Sequence, residues 1–237
     1  MARECLWNKD MVKKLIFNLS NIYAMDLNEF VVNIAIKSNQ NTELNYFEIL
    51  VTIVLSQNTS DRNAIRAFNA LKNMVKEVTP KNILAIDDGS LKNAIRVAGL
   101  ANRKSDILKK LAYVISSKPE FFREIAPLDV EEARKMLLEL PGIGFKTADV
   151  FLLLVLKKHT FPIDTHINRI VRRLGIANPG DGYEDIRLKV VKFLEGDVDS
   201  LSKLHMLLIM HGRRVCTSRN PKCSLCVVSK LCCKIIQ

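Results

Sequence analysis

Four cysteines, Cys216, Cys223, Cys226 and Cys232, follow the pattern Cys-x6-Cys-x2-Cys-x5-Cys. Thiolates this close in sequence can surround one metal centre. Zinc accepts four of them, but usually from two Cys-x2-Cys knuckles, and only Cys223 and Cys226 have that spacing here. Four ligands in one loop suit a cubane 4Fe-4S cluster, whose irons each take one thiolate. Cys5 and Cys233 stay outside the set, Cys233 as a bystander beside a ligand. From Ser202 to Gln237 there are seven basic residues and no acid, Arg213, Arg219 and Lys222 among them. Such a loop presents positive charge to phosphate.

A second constellation is Leu140-Pro141-Gly142-Ile143-Gly144-Phe145-Lys146-Thr147, set between two helical stretches. Two glycines around one apolar residue permit a tight turn that a β-carbon would obstruct. The turn leaves backbone N–H groups free at the start of the next helix, and these bind phosphate without reading bases. This is the helix-hairpin-helix pattern for duplex DNA, with Gly142, Ile143, Gly144 and Thr147 as its contact residues. An ordinary helix–turn–helix corner is the plainer reading of a lone Gly-x-Gly.

The third is Lys146 with Asp164. A lysine in the first turn of a helix meets the positive end of the dipole, and partial burial acts in the same direction, toward the neutral amine. A neutral amine is a nucleophile and forms a Schiff base with a sugar aldehyde. Asp164 lies in Pro162-Ile163-Asp164-Thr165-His166, ahead of a helix, where it also suits an N-cap.

The elements that must hold these groups read as helices. Ala64, Ile65, Phe68, Leu71 and Val75 recur at helical spacing after Ser60 or Asp61. Thr79-Pro80 is a cap followed by proline. Ser90 starts a short helix that Gly99 ends. Asn102 or Ser105 precedes the apolar face Ile107, Leu108, Leu111, Val114 and Ile115. Asp129 and Glu132 have capping-box spacing. An apolar helix runs from about 147 to 156, another follows Asp164 and stops at Gly175, and 204–210 continues the pattern. The polar stretch Ser38–Glu43 and the turn Lys157–Phe161 are candidate boundaries. They suggest a middle domain and a second one built from both ends of the chain.

Composition narrows the classes. The 237 residues are 48% hydrophobic, enough for a sizeable core and not a disordered chain. Lys and Arg total 36 against 25 Asp and Glu, a net charge of +11, which favours a polyanionic partner and nucleic acid before membrane. The longest apolar run, Ala148 to Leu156, is too short for a span and is broken by Asp149. Charges through the first 25 residues argue against a signal peptide. Cytoplasm or nucleoid is the expected location, and clustered cysteines in such a protein point to metal before disulfides.

Taken in chain order, hairpin, aspartate segment and cysteine loop, the motifs resemble the endonuclease III family of base-excision DNA glycosylases, over most of the chain from about Glu43 to Cys232. The cysteine loop is similar to the family's 4Fe-4S site. LPGIGFKTAD resembles its hairpin, with Lys146 at the catalytic lysine, and PIDTHINR the segment with the catalytic aspartate, Asp164, followed by His166. The resemblance implies an all-α fold of two helical domains with the active site in the cleft between them. A six-helix domain would span 41–150, with the hairpin at about 130–155. Residues 1–40 plus 151–237 would form the cluster domain. It implies a monomeric bifunctional glycosylase and AP lyase acting on duplex DNA that contains a damaged base or an abasic site. Oxidised pyrimidines such as thymine glycol are the default substrate. T/G or U/G mismatch excision and a non-catalytic cluster-containing DNA-binding protein are the other readings, with an A/G-type adenine glycosylase and a zinc-bearing helical protein behind them.

Two segments match less tightly. Leu55-Ser56-Gln57-Asn58-Thr59-Ser60-Asp61 resembles the loop that fills the hole left by an extruded base, where the family usually has glutamine at the place of Asn58 and here Gln57 stands one place earlier. Val97 to Lys104 resembles the other wedge loop, with Leu100 as the intercalator. Phe145 replaces a commoner basic residue.

Overall fold

In the computed structural model the described residues are 7–23, 30–38 and 44–233. Their regular structure is helical: α1 (Lys9–Ser20), α2 (Val31–Ser38), α3 (Leu44–Ser56), α4 (Asp61–Val75), α5 (Pro80–Ala85), α6 (Asp88–Ile95), α7 (Ala101–Ser117), α8 (Phe121–Ile125), α9 (Val130–Leu138), α10 (Phe145–Leu154), α11 (Thr165–Leu174), α12 (Tyr183–Phe193) and α13 (Val198–Arg214). No strand occurs among the described residues. None of their helices is long and apolar enough to cross a membrane. Cys5 and positions 39–43, where a boundary is expected, lie outside the described residues.

The chain divides into two compact units, Asp26–Phe151 and a discontinuous one of Met1–Met25 with Leu152–Gln237. Residues 26–40 thus group with the middle of the chain. The reason is α2, whose Val32 and Ala35 are buried and which packs on α3 and α4. The other division falls inside α10.

In the middle unit α3 is the central helix. Phe47, Leu50, Val51, Ile53, Val54 and Leu55 are all buried, as are Glu48 and Thr52, which leaves it no solvent face from Phe47 to Leu55. Around it α4 and α7 turn single apolar stripes inward, as amphipathic helices must: Ala64, Ala67, Phe68 and Leu71 from one, Ile107, Leu108, Leu111, Ala112 and Ile115 from the other. Tyr46, Phe122 and Phe151 meet in edge-on and tilted ring contacts.

The caps follow the sequence with two corrections. Ser60, Thr79 and Asp129 accept from the backbone N–H three residues on, as expected. The helix assigned to Ser90 begins earlier. Asp87, extended at φ −68° and ψ 153°, is its cap and accepts from Ser90 N at 2.9 Å, which puts Ser90 inside the first turn. Asn102 and Ser105 lie inside α7 and do not start it. The cap position is Leu100, with φ +51 and no side-chain cap.

In the discontinuous unit α13 packs against both α1 and α11. α1 buries Val12, Leu15, Ile16 and Leu19. α11 buries Ile167, Ile170, Val171 and Leu174, starts at its cap Asp164 and ends at Gly175 in the left-handed conformation. The indole of Trp7 donates to Leu174 O at 2.8 Å, which fastens the start of the described chain to the end of α11.

Candidate functional site

The hairpin is the turn between α9 and α10. Gly142 has φ +75, and a β-carbon there would lie 2.5 Å from Ile107 Cγ2 of α7, so both backbone and space require glycine. Gly144 meets no neighbour within 4 Å and is open to solvent. The first intrahelical bond of α10 runs from Ala148 N to Gly144 O at 3.0 Å. The N–H groups of residues 145–147 precede it and form the orphan donor set of a helix start. Lys146 is the second residue of α10 and half-buried. Ile143 and Thr147 turn their side chains inward, so any phosphate contact from them is through the backbone.

Behind the turn Arg134 of α9 and Asp149 of α10 form a buried pair. The Arg134 guanidinium also lies 4.9 Å from the centroid of the Phe145 ring, which stands exposed beside Lys146. Phe145 thus covers one positive charge at the place where another was expected.

Gln57 and Asn58 have different surroundings. Gln57 Nε2 donates to Gly142 O at 3.1 Å and to Thr147 Oγ1 at 3.2 Å, so its side chain braces the hairpin. Asn58 is exposed with φ +53. The residue free to project from this turn is therefore Asn58. Leu100 is 53% exposed and also in the left-handed region, strained for a residue with a β-carbon. Lys104, three residues into α7 from its start, was not singled out by sequence. It is 2% exposed and donates to Leu55 O at 2.7 Å and Ala98 O at 2.9 Å. Burial lowers its pKa to about 8. A lysine on the core-facing register with Ile107 and Leu111 was the available signal.

In the discontinuous unit Asp164 Oδ1 accepts from Ile167 N at 2.7 Å. Asp164 also lines a hollow together with Thr165, Asn168, Arg172 and Tyr183. His166 is held within its own unit: its Nδ1 accepts from Arg169 Nη2 at 3.1 Å, and a β-carbon on Gly212 would meet its Cβ at 2.8 Å. Burial lowers its pKa, Asp164 opposes that shift, and Arg169 and Arg213 add to it.

Cys216, Cys223, Cys226 and Cys232 are free thiols that line one cavity. Ile170, Leu174, Val215 and Val228 form its apolar wall. Arg173 Nη1 lies 3.4 Å from Cys216 Sγ, and the same guanidinium donates to Thr217 O and Ser218 O. His211, buried at the end of α13, places Nε2 3.5 Å from Cys226 Sγ and Nδ1 3.0 Å from the Tyr23 hydroxyl. With Cys226 as thiolate, Nε2–H donates to sulfur and Nδ1 accepts from Tyr23. Burial pushes the His211 pKa down to about 4, so the ring stays neutral. Burial raises the Cys226 thiol pKa, and the other three cysteines add to the rise. Loading the site therefore releases protons. Four thiols around a walled cavity, with two N–H donors aimed at sulfur, fit a cluster of several irons. Cys233 is disulfide-bonded, which takes it out of the ligand set. Arg213, Arg219 and Lys222 are exposed around this loop.

Residues 51–195 match the HhH-GPD superfamily of base excision DNA repair proteins, and residues 216–232 match the iron-sulfur binding domain of endonuclease III. Endonuclease III of Sulfolobus acidocaldarius is 37% identical over 94% of this chain and 96% of its own length. The Escherichia coli endonuclease III is 32% identical over 81% and 86%. A trapped endonuclease III–DNA covalent intermediate has the same fold, with a TM-score of 0.74 at 24% identity over 96% of each chain. A thermostable thymine-DNA glycosylase follows at 0.69 and 21%, covering 94% of this chain and 95% of its own. The cofactor of the cysteine loop is a 4Fe-4S cluster.

Proposed function

We propose, for a chain that belongs to the endonuclease III family of the HhH-GPD superfamily of base excision DNA repair proteins, a bifunctional reaction on oxidised pyrimidines of the thymine glycol type in duplex DNA. The chain is a DNA glycosylase/AP lyase. The single observation that carries the finer reading is the place of Lys146, an amine in the first turn of α10 directly after the hairpin.

The target base lies inside a duplex and is extruded before any chemistry. The amides at the start of α10 and the side chains of Arg213, Arg219 and Lys222 take phosphates. Asn58 and Leu100 occupy the vacated space and offset the lost stacking. Lys146 Nζ, once deprotonated, attacks the sugar C1′. The C1′–N bond to the base breaks, and the base leaves with the bonding pair and takes up a proton. Asp164 accepts the proton that Nζ sheds and counters positive charge on the sugar. The C1′–O4′ bond then breaks, O4′ leaves with the bonding pair and takes up the proton that Asp164 accepted, and C1′ is left as an iminium with Lys146. Loss of a C2′ proton then expels the 3′ phosphate and nicks the strand, and water hydrolyses the iminium to release the lysine. The cluster, when bound, gives the basic loop its shape. One chain acts on one lesion.

The test is borohydride trapping on a duplex with one thymine glycol, with Lys146→Ala beside it and T/G and abasic duplexes in parallel. A covalent adduct on thymine glycol that the variant lacks supports the reading. Trapping on the abasic duplex alone moves the base preference to mismatches. No adduct on any duplex removes Lys146 from the chemistry.

A further inference from the structure

We infer that Lys104 is a positioning residue of the lesion-probing surface, whose ammonium locks the Gln57–Asn58 turn and the Gly99–Leu100 turn to one another through the backbone carbonyls that precede them. This role rests on the reading of Asn58 and Leu100 as residues that enter the duplex.

An ammonium is costly to remove from water, and a methionine would fill the same space without that cost. Lys104 is nonetheless 2% exposed. What the amine obtains is two acceptors, Leu55 O at 2.7 Å and Ala98 O at 2.9 Å. Leu55 is in the last turn of α3, and Ala98 ends the 3-10 turn Arg96–Ala98. Carbonyls at helix ends lack intrahelical donors and carry the negative end of the dipole, so a cation suits both.

The geometry past these carbonyls is the second observation. From Leu55 the chain reaches Asn58 in three residues, and from Ala98 it reaches Leu100 in two. Asn58 and Leu100 are both exposed and both held at positive φ, 53° and 51°. Asparagine adopts this conformation readily, but in a leucine it persists only where the surroundings over-determine it. Lys104 pins the entry to each. The same helix reaches the hairpin one turn further on, where Ile107 closes against Gly142, and Gln57 closes the frame from the other side. The first two turns of α7 thereby hold in one register two turns that would wedge the duplex and one that would grip its backbone. All of these residues belong to the unit Asp26–Phe151.

The test is a double-mutant cycle of Lys104→Met with Leu100→Gly in the full-length holoenzyme. Single-turnover excision of thymine glycol is read against cleavage of a preformed abasic site. Fluorescence of a 2-aminopurine beside the lesion reports unstacking. Lys104→Met is expected to lower excision roughly tenfold to a hundredfold, to lose more excision than abasic-site cleavage, and to flatten the fluorescence rise. In the Leu100→Gly background the same substitution is expected to add little. Lys104→Gln, which can reach one carbonyl, is run beside it, so a folding failure of the methionine variant leaves the cycle in place. Equal losses of excision and abasic-site cleavage, or losses that multiply in the Leu100→Gly background, would overturn the positioning role. If Leu100→Gly alone excises and unstacks like wild type, the wedge reading fails instead.

Discussion

The guanidinium of Arg134 donates to both carboxylate oxygens of Asp149, Nε to Oδ1 at 3.0 Å and Nη2 to Oδ2 at 3.3 Å, and Asp149 has no exposed surface. The pair joins α9 to α10 on either side of the hairpin and so sets the angle at which the turn is presented. Removing Asp149 takes from the buried Arg134 charge its two-pronged partner. Asp149→Ala is expected to lose about 3–5 kcal/mol, read by urea unfolding of the holoprotein. Replacing both with Arg134→Met and Asp149→Leu is expected to restore most of that loss.

Lys104 gives a stability slope of definite sign. Its pKa is about 8 in the fold against 10.5 for an ordinary lysine. Between those values the unfolded chain holds a proton that the native chain has released, so stability rises with pH across that window. Below 8 both states are protonated and the slope vanishes. Melting temperatures of wild type and Lys104→Met, followed from pH 7.5 to 10.5, are expected to diverge in favour of wild type as pH rises. Parallel curves would show that the ammonium is not desolvated.

Leu100 separates stability from activity. Its left-handed backbone costs about 1–2 kcal/mol, against about 0.5–1 kcal/mol for the extra chain entropy of a glycine. Leu100→Gly is expected to melt no lower than wild type while processing thymine glycol more slowly. Binding to an abasic duplex should change less, since no base has to be displaced there. A variant that melts lower and excises normally would make Leu100 a structural leucine.

Holoprotein is expected to be brown and to contain about four irons per chain. Cys226→Ser and Cys232→Ser should lose colour and iron. Cys233→Ser should keep both, because Cys233 is not among the free thiols around the cavity. Iron analysis of the three variants separates ligand from neighbour, and a zinc-loaded colourless preparation would sink the cluster.

Local signals were legible in the sequence, and distant side-chain geometry was not. The glycines of the hairpin, the cysteine spacing and the caps Ser60, Thr79 and Asp129 each depend on residues a few positions apart. Periodicity and spacing register those. Lys104 reaches Leu55 across 49 residues, Gln57 reaches Gly142 across 85, and Tyr23 reaches His211 across 188. No spacing rule encodes such contacts, so the sequence leaves Gln57 and Asn58 side by side in one loop without telling brace from wedge, and does not single out Tyr23. The start of α6 was misplaced for a subtler reason: Asp87 and Ser90 are both good caps, and only backbone geometry chooses between them. α2 fell with the middle unit because its partners are α3 and α4, a fact of packing that a polar stretch after it concealed.

The unit that carries the cysteines has a consequence in time. Its first helix, α1, is synthesised before the whole of Asp26–Phe151, yet its apolar face lies on α13. Trp7 and Tyr23 close contacts across 167 and 188 residues. On the ribosome the middle unit is complete and able to fold while Val12, Leu15, Ile16 and Leu19 still lack their partner. Closing so large a loop is an entropic step that waits on the last helix. Iron arrives later still, at a loop translated after α13. A chain stalled short of α13 would display a bare apolar helix and no cysteine loop, a mark by which quality control can tell an unfinished copy from a working one.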